Sequence, residues 1–363
     1  MTRLDRYLGR AILAPFGAAL AILFFLLVSV QLLQINEVIF GSAAAPSDVA
    51  RVGLFFVPHF AMLALPLALL FAIIIGLGRL GEEGELTALF AAGVGPTRLY
   101  RVPVALALLL GAASLCASLW LEPWCMRGVR RQLNNVIERN IASGLAPGVF
   151  SRELPRVTLF AREVDRPGSW RGVLLDDERE GVPLLAFAKR GSVEVGGDEN
   201  VTVRLESGEL HRLEPEAYSV AHFDRATLQV GLRDQLYAKN RFYDSFSART
   251  VGELRALARQ ARGEGDVTTW AQASVAADAR MLVALTCLAF ALCAVPLARL
   301  GGAGAYLGAA AVVALHYIAG RTGEALAVTH AVPPTLAASF PFLCTFAVAG
   351  LLSIRRRRRD RSL

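Results

Sequence analysis

A chain of 363 residues that is 54% hydrophobic, with a mean hydropathy of +0.45, is too apolar for an ordinary soluble protein and points to a membrane. Its formal net charge of +7 is largely a tail effect, since Arg355–Arg359 and Arg361 supply six of the positives. A basic tail behind an apolar span reads as membrane-anchored and not as a nucleic-acid arm, and five cysteines without a CxxC spacing argue against a disulfide framework or a metal site.

Arg3, Arg6 and Arg10 precede an uncharged run from Ala11 to Asn36. That run is far longer than the ~7–15 apolar residues of a signal-peptide core, so it reads as an uncleaved transmembrane helix. A bilayer core needs about 20 apolar residues in a helix. Six runs fit: Ala11–Ile35, Val52–Leu77, Val102–Leu121, Met281–Ala298, Ala303–Gly320 and Leu326–Ile354, the last starting its helix at Pro333-Pro334. Arginines gather at one set of ends: Arg3, Arg6 and Arg10, then Arg79, Arg98 and Arg101, then Arg299, then the tail. The loops Glu37–Arg51 and Thr322–Pro333 carry few. By the positive-inside rule both termini are cytoplasmic, and the segment of about 122–280 lies outside.

Leu80–Gly95 is the most distinctive short segment, and it falls on the cytoplasmic side. Glu82, Glu83 and Glu85 crowd its front, where carboxylates suit the positive end of a helix. Leu86, Leu89, Phe90 and Gly93 follow at i, i+3, i+4 and i+7, with Gly93 as a stop and Pro96 beyond. The spacing predicts a helix of about three turns over 82–93 with one greasy face. Nothing within the loop covers that face, which leaves a partner's groove or the membrane surface.

The outer segment changes character. Val201, Val203 and Leu205 alternate with polar residues, and Thr158–Arg162, Gly172–Asp176, Leu184–Val195 and Tyr218–Leu232 also read as strands. Arg166-Pro167-Gly168, Gly196-Gly197-Asp198 and Ser207-Gly208 read as turns. Several short strands predict a sandwich or jelly roll. Helices over Gln132–Ile141, Val251–Arg262 and Thr268–Arg280 flank it.

The chain has no GxxxxGK[ST], no HExxH, no GxSxG and no His or Cys cluster, so neither an ATP site nor a cofactor is expected. His59 and His316 lie in apolar runs, either as hydrogen-bonded core histidines or as functional groups. Arg127, Arg130 and Arg131 share a helical face after the third span and suit phosphate, or else form a snorkelling helix end. Arg321 sits near the outer end of the fifth span, with Glu324 at i+3 as a partner. Gly304 and Gly308 form a GxxxG, a weak sign of close helix packing.

Several ordered blocks resemble the lipopolysaccharide export permeases, the LptF/LptG family. They are Leu4-Asp5-Arg6-Tyr7-Leu8, Leu65-Pro66-Leu67-Ala68, Gly78-Arg79-Leu80, Gly84-Glu85-Leu86-Thr87-Ala88-Leu89 and Trp120-Leu121-Glu122-Pro123-Trp124. Ala188-Lys189-Arg190-Gly191, Leu205-Glu206-Ser207-Gly208, Ala294-Val295-Pro296-Leu297 and Gly323-Glu324-Ala325-Leu326-Ala327 complete the set. Val57-Pro58-His59 and the Gln31–Gln34 segment lean towards the LptF side. The chain departs from the family at Leu285-Thr286 and at Ser339-Phe340-Pro341-Phe342.

The resemblance implies a membrane protein with six transmembrane α-helices and a periplasmic β-jellyroll-like domain between helices three and four. The parts would be 1–121, with a coupling helix at 82–93, then 122–280 as the β-domain with flanking helices, then 281–363. It implies an inner-membrane permease subunit that extracts lipopolysaccharide together with a sister LptF or LptG subunit, an LptB ATPase dimer, LptC and a periplasmic bridge. Glu82, Glu85, Leu86, Leu89, Phe90 and Gly93 would couple to the ATPase. Arg127, Arg130, Arg131 and Arg321 would meet lipid head groups, and spans one and five would border the lipid entrances. The rival from another class is a non-transporting, membrane-anchored scaffold for envelope assembly.

Overall fold

The structure, a computed structural model, describes residues 3–39, 46–132, 147–154, 157–166, 168–177, 184–195, 200–214, 217–231 and 246–361. The predicted helix over Gln132–Ile141 lies, apart from Gln132, outside them. Three helices open the chain: α1 (Arg3–Ile39), α2 (Pro46–Glu82) and the short α3 (Glu85–Ala91). Helix α4 (Pro96–Gln132) starts as a 3-10 turn over Pro96–Tyr100 and carries a π-helical turn at Ala117–Leu121. After the strands come α5 (Val251–Glu264), α6 (Val267–Leu282), α7 (Ala284–Ala298), α8 (Gly302–Val328) and α9 (Pro334–Arg361).

Helices α1, α2, α4, α8 and α9 are long and apolar enough to cross a membrane. The expected fourth span is different. Helix α7 has 15 residues, about 22 Å of rise, too little to cross a bilayer alone. It bends by 59° from α6, and the pair together makes the sixth candidate.

The chain divides into two compact units, one of Met1–Val30, Phe56–Met126 and Ser245–Leu363, the other of Gln31–Phe55 and Arg127–Asp244. In that division the segment after the strands, from Ser245 on, lies in the first unit. Helices α5 and α6 belong with the spans, since Leu254, Ala258 and Ala261 of α5 and Ala271, Ala273 and Ala277 of α6 bury small apolar faces.

The helical unit has one main core, which includes Leu8 and Ile12 of α1, Leu69, Ile73 and Leu77 of α2, and Phe290 and Ala294 of α7. Its closest backbone approaches occur at glycines outside the GxxxG. A Cβ on Gly111 would fall 2.7 Å from the Ala284 carbonyl oxygen, and one on Gly323 would fall 2.5 Å from that of Ala337. A Cβ on Gly304 would meet nothing within the chain, while one on Gly308 would fall 2.6 Å from the Leu297 side chain, so only Gly308 of the GxxxG serves a close contact here.

The second unit contains β1 (Phe150–Leu154), β2 (Val157–Arg166), β3 (Ser169–Asp177), β4 (Leu184–Val195), β5 (Asn200–Glu214) and β6 (Ala217–Gly231). They form one antiparallel sheet in chain order, each strand paired with the next. Among the described residues there is no crossover of the kind a two-sheet jelly roll needs. Alternate side chains build its core: Val157, Leu159 and Ala161, then Val173 and Leu175, then Ala186 and Ala188, then Val203 and Leu205. Ser207-Gly208 is not a turn. Ladders on both sides carry β5 straight through it, and Ser207 takes a φ of 53° as a kink inside one long strand.

The α5–α6 hairpin is built from strong local signals. Thr250 and Glu253 form a capping box, and Gly265 closes α5 at a φ of 75°. Asp266 caps α6 by accepting the Thr269 N–H at 3.0 Å. Hydrogen bonds from the Thr269 side chain, then from its backbone N–H, hold the Asp266 carboxyl below the usual carboxylate range. A depressed folded pKa means the cap stabilises above the unfolded value and weakens as pH falls through the folded one. Amide protection over 267–272, taken relative to the intrinsic exchange rate at each pH, should therefore fall in acid in the wild type. It should show a smaller acid response in Asp266→Asn; an equal response in both would remove the cap as its source.

Candidate functional site

The predicted helix over 82–93 is shorter than its pattern suggested. Helix α2 runs on to Glu82, so Glu82 closes one helix and does not open the next. Gly84 breaks the chain at a φ of 75°, and α3 then begins at Glu85. The stop falls as predicted. Gly93 takes a φ of 83°, its N–H reaches the Phe90 carbonyl, and the Val94 N–H reaches that of Leu89, a Schellman closure.

Much of the greasy face is covered from within. Leu86 is 5% exposed and shares the main core with Leu77, Leu80 and Leu99, while Leu89 and Phe90 pack against that core. The Arg299 guanidinium lies 5.1 Å from the Phe90 ring centroid. Leu86 therefore packs within its own chain, while Leu89 and Phe90 are half-buried against the same core. Distant helices supply the cover that the loop lacks. Thr87, Ala88, Ala91, Ala92 and Gly93 are the exposed ones. Glu85 accepts a hydrogen bond from the Tyr7 hydroxyl at 2.6 Å, which ties α3 to α1, and Glu83 pairs with Arg79 at 3.4 Å.

Of the expected head-group arginines, Arg127, Arg130 and Arg131 lie on the last turns of α4, with Arg131 exposed and the other two half-buried. Arg321 lies on α8, 72% exposed, and pairs with Glu324 at 2.9 Å, the self-contained arrangement that the i+3 spacing allows. His316 is a satisfied core residue. Its Nδ1 lies 3.0 Å from the Thr345 hydroxyl, which donates to the Pro341 carbonyl, and the Phe290 and Phe342 rings meet it edge-on.

A buried charge cluster was not foreseen. Glu122 and Arg280 have side chains only 6% and 8% exposed, 3.5 Å apart. Glu122 also lies 2.9 Å from Nδ1 of His59 on α2. Arg280 donates to three backbone carbonyls, Ser118 at 3.0 Å, Phe246 at 3.0 Å and Ser247 at 2.7 Å. Those acceptors include the π-helical turn of α4 and the turn leading into α5. One available signal was that charged residues at the ends of two apolar runs need each other in a membrane protein.

The profile of the family described as "Lipopolysaccharide export system permease LptF/LptG" matches residues 6–355, nearly the whole chain. The chain belongs to the LptF/LptG family. Among curated relatives, the LptF permeases of Escherichia coli K12 and of Shigella flexneri are 29% identical to it over 162 residues. That alignment covers 44% of this chain and 44% of theirs, so the chain spans less than half the length of these LptF relatives. Apolar helices interrupted by an antiparallel β-segment fit a multi-pass LptF/LptG permease.

Proposed function

We propose that this LptF/LptG member is the transmembrane subunit of an ABC transporter that extracts lipopolysaccharide from the inner membrane and hands it to a periplasmic bridge. The observation that carries the reading is the family match over residues 6–355, joined to the helix–sheet–helix order of the chain. In this reading the bent α6–α7 pair is the fourth of six spans. Both termini are cytoplasmic, and the single antiparallel β-sheet forms a periplasmic domain. The sister permease and LptC assemble beside it. Strands β1 and β6 pair on one side only among the described residues, and such edges suit strand addition along a bridge. Arg127, Arg130, Arg131 and Arg321 would meet the phosphates of the lipid head group.

Work from an LptB dimer would enter through α3. Since Leu86, Leu89 and Phe90 hold α3 to its own core, its exposed side is the docking face. Ala88 and Ala91, one turn apart, are small enough for close approach. The test is affinity purification in mild detergent with identification of partners and an ATPase assay. Wild type should bring down a nucleotide-binding subunit. Ala88→Arg and Ala91→Arg should keep the thermal midpoint yet lose most of it, on the order of tenfold, because each buries a charge in the contact. Recovery of envelope proteins without any ATPase would favour the scaffold instead.

A further inference from the structure

Helices α5 and α6 and the start of α9 enclose an open groove of about 490 Å³ that the transport reading does not use. One wall is an arginine ladder. Arg255, Arg259 and Arg262 recur at i, i+4 and i+7 on α5, beside the buried seam of Leu254, Ala258 and Ala261. All three are exposed, and none forms an ion pair among the described residues. The opposite wall is α6, with Trp270 and, two turns on, Asp278. Trp270 is fixed on two sides: the His330 ring stacks on it at 5.6 Å, and the Arg262 guanidinium lies 5.7 Å from its centroid. Pro334 closes the third side.

Pro334 also opens the apolar window of α9, Pro334–Arg355, which is long enough to cross a bilayer. The groove therefore lies where a span meets water, the level at which tryptophan is enriched and lipid phosphates reside. Three guanidiniums against one carboxylate leave the groove cationic. Arginine forks match phosphate oxygens. We propose that this groove binds the phosphate of an anionic phospholipid head group, with Arg255, Arg259 and Arg262 as donors and Trp270 against the glycerol and upper acyl chain. The site does not depend on the cargo: it lies wholly within 251–335 and includes none of the four arginines given to head-group binding above.

The test uses the full chain with its copurifying partners in detergent, delipidated and titrated with phosphatidylglycerol, phosphatidylcholine, inorganic phosphate or purified lipid A. Retention is read by native mass spectrometry and by the thermal midpoint. Phosphatidylglycerol should be retained about tenfold better than phosphatidylcholine, the scale of charge-assisted hydrogen bonds. Arg255→Gln/Arg259→Gln/Arg262→Gln should erase that preference without lowering the lipid-free midpoint. Asp278→Asn removes the one opposing charge and should raise retention. Equal retention by the triple variant and wild type overturns the proposal. Millimolar phosphate displacing the lipid completely overturns the lipid as occupant. Lipid A retained through these arginines while phosphatidylglycerol is not assigns the groove to the transport path, and also overturns it. Loss of the ATPase partner would bear on the transport reading alone.

Discussion

Arg280→Ala should destabilise the helical unit by about 3–5 kcal/mol, the range for breaking a buried ion pair from one side. The change leaves Glu122 buried beside His59 without its guanidinium, and it strips a donor from the carbonyls of Ser118, Phe246 and Ser247. Thermal midpoints in detergent should fall steeply, with a parallel fall in membrane yield. Glu122→Leu alone should also be severe, because it leaves Arg280 short of its counter-charge. The double variant Glu122→Leu/Arg280→Met should recover much of the loss, since apolar replacements of similar volume often match a buried pair. The cycle is decisive. Single effects that simply add would mean the 3.5 Å approach carries no coupling.

Leu86→Asp should be comparably damaging, and for a reason that separates packing from docking. Leu86 is 5% exposed in the main core, so a carboxylate there is desolvated among apolar side chains. A cost on the order of 4–5 kcal/mol is expected, and Leu86→Ala should cost about 2–5 kcal/mol as a cavity. Thr87→Asp, one residue away and exposed, should stay within about 0.5 kcal/mol. Trypsin resistance of the solubilised protein distinguishes the two ideas. If Leu86→Asp keeps wild-type resistance and loses only the ATPase, then Leu86 faces a partner after all.

What the sequence disclosed depended on how local the cause was. Five spans are visible as apolar runs because the period and length of a membrane helix are set within the segment itself. Strands β2 to β6 are visible as runs of apolar and β-branched residues, although Ser207-Gly208 imitates a turn inside β5. Strand β1 was missed: Phe150-Ser151-Arg152-Glu153-Leu154 has no clean alternation, and its register against β2 shifts between Ser151 and Leu154. The 59° bend ahead of α7 has no proline at Val283 to announce it. The greasy side of α3 was legible, but what covers it was not, because Leu8, Leu77 and Leu99 reach that core from other parts of the chain. Glu122, His59 and Arg280 failed to stand out for the same reason, with 162 positions separating Ser118 from the guanidinium that binds it.

The position of Arg280 has one more consequence. Its acceptors lie on both sides of the strands along the chain, Ser118 in the π-helical turn of α4 and Phe246-Ser247 in the turn leading into α5. One guanidinium therefore ties α4 to the turn at which the chain returns from the strands. With its flanks held together in this way, doubling the length of the segment between them adds only about 0.6 kcal/mol of closure entropy. The strand-bearing segment can thus change length at small entropic cost, while the residues that Arg280 holds at its threshold are fixed in place.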